Sequence, residues 1–334
     1  MAAPIVTLTD PIAREGIAVL EAAGCTVRVA EDRSPAGLRA ACAAADGVIV
    51  RSWLPEDAFD NAGRLLVAVR HGAGVDMIPL PPATRHGVLA SRVPGANAQA
   101  VAEFAVGQML CAARSLHVLD HALHSEGWEK ARARTGAATE LGGRTLGLVG
   151  VGDIGMHLAR IAHHGFGMSV LGFRRDATKL PAHVGFAALP ELFAVSDYIV
   201  IACPLTDETR GLVGASLIAR MKPTAWLVNV ARGPIIDEVA LVTALRDRRI
   251  GGAALDVYAA QPLAPEHPLL SLPNVVLTPH GAGISRESGV ALAVRSAEEV
   301  VRVLRGERPV ALVNPEALPR HNERRAALGL GAIA

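Results

Sequence analysis

Aromatic side chains make up only 3% of the 334 residues. That scarcity removes the stacking platforms on which single-stranded nucleic acid is bound. Neither sign of charge is in excess: 33 Lys and Arg face 32 Asp and Glu, a formal net charge of +1 with no basic block. No electrostatic partner is implied. Cysteine is confined to Cys25, Cys42, Cys111 and Cys203, with no C-x-x-C pair and no ligand-like spacing. No disulfide framework or metal site follows from that pattern, and it fits a reducing compartment, so a cytoplasmic protein is expected. No apolar run reaches the ~18 residues of a membrane span. The opening MAAPIVTLTDP lacks the charged and apolar regions of a signal peptide. What remains is a chain that is 51% hydrophobic and 19% charged, long enough for two domains with separate cores.

The most informative stretch is 144–175, RTLGLVGVGDIGMHLARIAHHGFGMSVLGFRR. An apolar strand pattern (145–149) runs into Gly150-Val151-Gly152-Asp153-Ile154-Gly155. A helical pattern (156–164) and a second apolar strand (169–173) follow. In this βαβ setting the glycines predict a dinucleotide site. The first permits the tight turn, the second lets a pyrophosphate approach the backbone, and the third lets helix and strand pack closely. The helix N-terminus then offers unpaired N–H groups to the phosphates. Where NAD enzymes place an acid for the ribose 2′-OH, the second strand ends in Arg174 and Arg175, with no carboxylate until Asp176. Guanidinium groups suit a 2′-phosphate, which predicts NADP over NAD.

Before this unit, strand patterns at 4–9, 25–30, 47–50, 64–69 and 87–90 alternate with helical ones at 12–23 and 35–45. Strands alternating with helices predict a parallel sheet covered on both faces. No Gly-rich turn follows the first of these strands, which suits a substrate lobe. Residues 97–118 read as a long helix, apolar on most faces and started by Asn97, that crosses into the second lobe. Residues 125–143 read as a loop. Further strands are expected at 198–203, 225–230, 252–256 and 274–278, and 286–304 as a helix returning to the first lobe. The tail 320–334, polar then Gly/Ala-rich, is expected to be poorly ordered.

Open parallel sheets bind ligands beyond the carboxyl ends of their strands. Three reactive side chains stand there: Arg232 in NVARG, Gln261 beyond the strand that ends at Asp256, and His280 in TPHG. Arginine can hold a carboxylate through two parallel hydrogen bonds, and histidine can exchange a proton near neutral pH. Singly, each is as readily a surface residue.

Together with VRHGAGVD (69–76), PGANAQAVAEF (94–104), GLVGVGDIG (147–155), NVARGPIIDE (229–238), LDVYAAQPLAPEHPL (255–269) and TPHGAG (278–283), these residues resemble the D-isomer-specific 2-hydroxyacid dehydrogenase family, nearer its phosphoglycerate-dehydrogenase-like branch. The resemblance covers about residues 5–314. It implies an α/β fold of two Rossmann-like lobes, a flavodoxin-like substrate lobe (1–97 and 285–334) and a doubly wound NAD(P)-binding lobe (98–284), joined by two long helices. The family's active sites lie between its lobes, and most members are homodimers. The small-molecule substrate would be a 2-keto or D-2-hydroxy acid, with Arg232 orienting its carboxylate and keto group and His280 serving as acid/base. The loop of Gly72, Ala73 and Gly74 would bind the substrate carboxylate through its N–H groups. The cofactor would meet Gly150, Gly152, Asp153, Ile154, Gly155, Arg174, Arg175, Cys203, Pro204, Val230, Ala231, Arg232, Asp256, His280 and Gly283. Arg51 and Arg70 resemble anion-holding positions of phosphoglycerate dehydrogenases.

One position departs from the family. The Glu that raises the pKa of the catalytic histidine is replaced by Gln261, followed by Pro262. A neutral amide orients a histidine but does not stabilise imidazolium by charge, so reduction should be shifted to lower pH. Formate dehydrogenases of the same family resemble this chain at that position, and formate oxidation needs no proton at a keto oxygen. A non-enzymatic dinucleotide sensor is the reading from another class.

Overall fold

The computed structural model describes residues 3–333. It divides into two compact units, Met1–Asn97 with Ile284–Ala334, and Ala98–Gly283. The first unit opens with β1 (Ile5–Leu8), α1 (Arg14–Ala22), β2 (Thr26–Val29), α2 (Pro35–Ala43), β3 (Gly47–Val50), β4 (Val67–Arg70), α3 (Leu80–Arg85) and β5 (Leu89–Ser91). The five strands are parallel, in the order β2-β1-β3-β4-β5. This is the flavodoxin-like order, reversing direction at β1. All four residues of β3 are buried, as befits a central strand covered on both faces. The fourth strand starts later than its pattern suggested, at Val67, and Arg64 outside it meets Asp46 at 2.8 Å.

The second unit begins with α4 (Ala98–Arg114), α5 (Leu116–Glu126) and α6 (Trp128–Ala133). The doubly wound part follows: β6 (Thr145–Val149), α7 (Asp153–Arg160), β7 (Ser169–Phe173), β8 (Gly185–Phe186), α8 (Leu189–Val195), β9 (Tyr198–Ile201), α9 (Ala215–Ile218), β10 (Trp226–Asn229), α10 (Glu238–Arg246), β11 (Gly252–Leu255) and β12 (Val275–Leu277). Its seven strands are parallel, in the order β12-β11-β10-β9-β6-β7-β8. Phe193, Leu227 and Leu245 fill one core cluster, and Met109, Leu148 and Leu158 fill the other. Helix α4 buries Val101, Ala102, Ala105, Met109 and Ala112, so it is apolar on the faces the sequence marked.

Two expectations are overturned here. Helix α4 ends at Arg114, where Ser115 takes φ 51°, and the stretch expected as a loop over 125–143 instead holds the end of α5 and all of α6. Each buries a single residue, Ala122 in α5 and Ala131 in α6.

The chain then returns to the first unit with α11 (Arg286–Leu304) and α12 (Leu318–Ala327). Ser285 and Ser288 form a reciprocal capping box at the start of α11, worth about 1 kcal/mol. Helix α11 packs tightly on α1: a Cβ on Gly16 would lie 2.6 Å from the Ala293 backbone. The tail expected to be poorly ordered is helical over α12 and stitched to the first unit. Buried Arg325 donates to the carbonyls of Val303 (2.8 Å) and Gly331 (2.5 Å), and His321 Nδ1 meets the Gly87 carbonyl at 2.9 Å. Among the described residues, no helix is long and apolar enough to cross a membrane.

Candidate active site

In the second unit β6 lies between β7 and β9, so the strand order reverses there. Ligands of open α/β sheets sit at such a point. The Gly-rich turn leaves β6 at this place, and its glycines differ in role. A Cβ on Gly150 (φ +99°) would lie 2.6 Å from the Cys203 nitrogen, and one on Gly155 would lie 2.4 Å from the Gly150 carbonyl oxygen. Close packing requires both. Gly152 has φ −91°, and a Cβ there would meet nothing within 4 Å. It borders open space at the start of α7, beside Asp153 and Ile154. Open space, a bare backbone and a helix N-terminus together fit a pyrophosphate.

Past β7 the two arginines part company. Arg174 Nη1 donates to the carbonyls of Val151 (2.8 Å) and Lys179 (3.0 Å), so it braces the Gly-rich turn. Arg175 is 87% exposed at its side chain, with Glu208 3.5 Å away. The nearby Asp176 carboxyl is held below its ordinary value by hydrogen bonds from Thr178 and Lys179.

Beyond β9 come Cys203 and Pro204. Burial pushes the Cys203 thiol up to about 11, which leaves it an inert lining group rather than a nucleophile. Beyond β10 stand Val230, Ala231 and Arg232. Asn229, 1% exposed, accepts from the Ala231 N–H and donates to the Arg232 carbonyl, both at 3.0 Å. Its side chain thus fixes the turn that presents Arg232, whose Nη1 donates to the Ala231 carbonyl at 2.7 Å. The next residue must be glycine, since a Cβ on Gly233 would lie 1.9 Å from the Tyr258 carbonyl carbon.

Beyond β12 the chain turns through His280, which takes φ 56°. Asp256, 2% exposed at the end of β11, shapes this turn. Its carboxylate accepts from Thr278 Oγ1 (2.7 Å), Gly281 N (2.9 Å) and Ala282 N (2.8 Å), and its carbonyl accepts from His280 N (2.9 Å). Gly283 follows directly. Tyr258 Oη adds a further tie, donating toward the Leu255 (3.1 Å) and Thr278 (2.8 Å) carbonyls. Gln261 Oε1 meets His280 Nδ1 at 2.9 Å. An amide oxygen only accepts, so Nδ1 carries the hydrogen and the neutral ring keeps its lone pair on Nε2. Arg232, Gln261 and His280 therefore follow three adjacent strands, β10, β11 and β12, along one sheet edge.

The first unit places Arg51 after β3 and Arg70 at the end of β4, paired in register with Val50. Arg51 donates its backbone N–H to Thr9 Oγ1 (2.8 Å) and its guanidinium to the Pro11 carbonyl. Arg70 Nη1 donates to the carbonyls of His71 (2.6 Å) and Val50 (3.2 Å). Between them His71 is held down to about 4, mainly by burial and then by the two guanidinium groups. In the following loop the Gly72 N–H meets the Arg70 carbonyl at 2.8 Å. Ala73 and Gly74 meet no backbone acceptor among the described residues.

Sequence reasoning missed Asn229, Tyr258 and Thr278. Only Asn229 left a signal, since an Asn two residues before a turn amide is a familiar local hydrogen-bonding pattern.

Residues 106–282 match the family model for the D-isomer specific 2-hydroxyacid dehydrogenase, NAD binding domain. A glyoxylate reductase from Thermofilum pendens is 39% identical over 267 residues, 78% of each chain. A D-3-phosphoglycerate dehydrogenase from Methanocaldococcus jannaschii is 36% identical over 321 residues, covering 94% of this chain but 60% of the relative. The solved NADPH-dependent glyoxylate/hydroxypyruvate reductase of Sinorhizobium meliloti, in complex with NADP and malonate, superposes with a TM-score of 0.80 at 29% identity, covering 94% of this chain and 97% of the other. The chain belongs to the D-isomer specific 2-hydroxyacid dehydrogenases and carries their NAD(P)-binding domain.

Proposed function

We propose that this dehydrogenase reduces a 2-keto acid to a D-2-hydroxy acid, with NADPH preferred. The observation that carries the reading is the Gln261–His280 hydrogen bond, which sets the imidazole tautomer at the edge where Arg232 also stands. A bound reduced nicotinamide supplies the hydride. Arg232 holds the substrate carboxylate and polarises the keto group. His280, when protonated, gives a proton from Nε2 to the keto oxygen, and oxidation runs the same transfer backwards. Asp256 keeps the His280 turn in shape, and Gly152 leaves room for the pyrophosphate. The first unit serves as the substrate lobe, with the loop of Gly72, Ala73 and Gly74 for the carboxylate and Arg51 and Arg70 for a second anionic group. Glyoxylate, hydroxypyruvate and phosphorylated keto acids are the substrate classes its relatives' names bring forward. The expected homodimer is read by light scattering.

The test is initial-rate oxidation of NADPH and NADH across a panel of 2-keto acids, repeated with His280→Asn. Turnover should fall by at least about 100-fold in the variant, with cofactor affinity kept. Undiminished turnover would remove His280 from the mechanism. Gln261 favours one second reading, formate oxidation, because a neutral partner suits a reaction without a proton at oxygen. Formate turnover without keto-acid turnover would select it. Cofactor binding without any turnover would select a sensor.

A further inference from the structure

We infer that Glu238 is a positioning residue for His280, acting through the loop that carries Gln261; the inference rests on the acid/base reading of His280. Glu238 opens α10, just after Asp237, whose side chain caps that helix by accepting from Ala240 N at 3.0 Å. The Glu238 carboxylate serves two partners in the loop beyond β11. Oε2 accepts from Ala259 N at 3.0 Å, and Oε1 lies 3.1 Å from His267 Nε2. The direction of the second bond is fixed by a third. Leu269 N donates to His267 Nδ1 at 3.3 Å, so the ring hydrogen sits on Nε2 and His267 donates to Glu238. The two side chains are only 20% and 19% exposed, so water competes weakly for the pair.

One carboxylate therefore fastens residues 259 and 267, the two ends of the loop, and Gln261 lies between them. Among the described residues, the only backbone bond within that span is His267 N to Ala264 O, at 3.0 Å. That bond and the packing of Leu263 against the core hold the middle of the loop, and the clasp from α10 holds its ends. Its position, and with it the 2.9 Å contact of Gln261 with His280, depends on the clasp from α10. A glutamate in a first helical turn is ordinarily explained by the helix dipole alone. A dipole role needs neither Ala259 nor His267 and predicts no coupling to Gln261.

A double-mutant cycle separates the two accounts. Glu238→Ala, Gln261→Ala and the double variant are compared for kcat, KM, cofactor Kd and amide hydrogen exchange. Glu238→Ala should lower kcat by about 10- to 100-fold, leave cofactor Kd within about twofold, and speed exchange of the Ala259 amide. The double variant should be no slower than Gln261→Ala by more than about twofold, since both changes break the same chain of contacts. An unchanged kcat, or losses that multiply, would overturn the inference. His280→Asn measured alongside distinguishes the failures: full turnover in that variant overturns the acid/base reading, whereas its loss beside normal kinetics in Glu238→Ala overturns only the role of Glu238. Should Glu238→Ala not fold, His267→Gln and His267→Ala replace it. Glutamine restores a donor to Glu238 and should recover kcat where alanine does not; equal rates in both would sink the idea.

Discussion

Gln261 Oε1 and His280 Nδ1 lie 2.9 Å apart, an uncharged acceptor on the imidazole. The contact orients the ring without adding a charge that favours imidazolium. Gln261→Glu supplies that charge. With His280 as the proposed proton donor, a higher imidazole pKa keeps the acid form present to higher pH. The alkaline limb of the keto-acid reduction profile should move up by about one pH unit. A profile that stays in place would show that another group sets it.

Gly152 and Gly155 make opposite predictions. Gly152→Ala should fold normally and lose cofactor affinity, by about tenfold or more, because its Cβ enters open space where phosphate would sit. Gly155→Ala should lose stability first, because its Cβ would lie 2.4 Å from the Gly150 carbonyl oxygen. Thermal unfolding with and without cofactor tells them apart.

Arg175, not Arg174, is the better test of coenzyme choice. Arg174 is engaged with the carbonyls of Val151 and Lys179, so changing it disturbs the turn as well as the charge. Arg175→Asp should shift the kcat/KM ratio toward NADH by about tenfold or more. A ratio that does not move would place the discrimination elsewhere.

Two buried histidines make the fold acid-sensitive. His71 and His321 are each held down to about 4 by burial, with arginines adding to it. Below pH ~6.5 the unfolded chain takes up protons that the folded one refuses. Their contribution is thus complete above that pH and fades as pH falls toward 4. Each is worth about 1–3 kcal/mol over that window. Tm should fall steeply between pH 6.5 and 4.5, and less steeply in a His71→Gln/His321→Gln double variant.

Much of this was legible before any coordinates. The βαβ unit over 145–173 and the helix at 286–304 announce themselves by period and glycine placement, because in both the local pattern and the buried face agree. Helices α5 and α12 did not. Helix α5 buries only Ala122, and α12 is held by the reach of Arg325 and His321 to backbone carbonyls. At the candidate site, the strand-end placement of Arg232 and His280 was readable from the motifs. The grip of Asp256 on the His280 turn was not, because its partners lie 22 to 26 residues away and meet only when β11 and β12 pair.

The left-handed backbone at His280 bears on how substitutions there are to be interpreted. Asparagine, which visits that region readily, removes the imidazole and little else. Alanine, valine or isoleucine would also ask the main chain to relax, and the relaxation would spread into the amides that Asp256 holds. An alanine scan would therefore overstate the chemistry at this position, and a saturation library would be dominated by conformational tolerance before it reported on proton transfer.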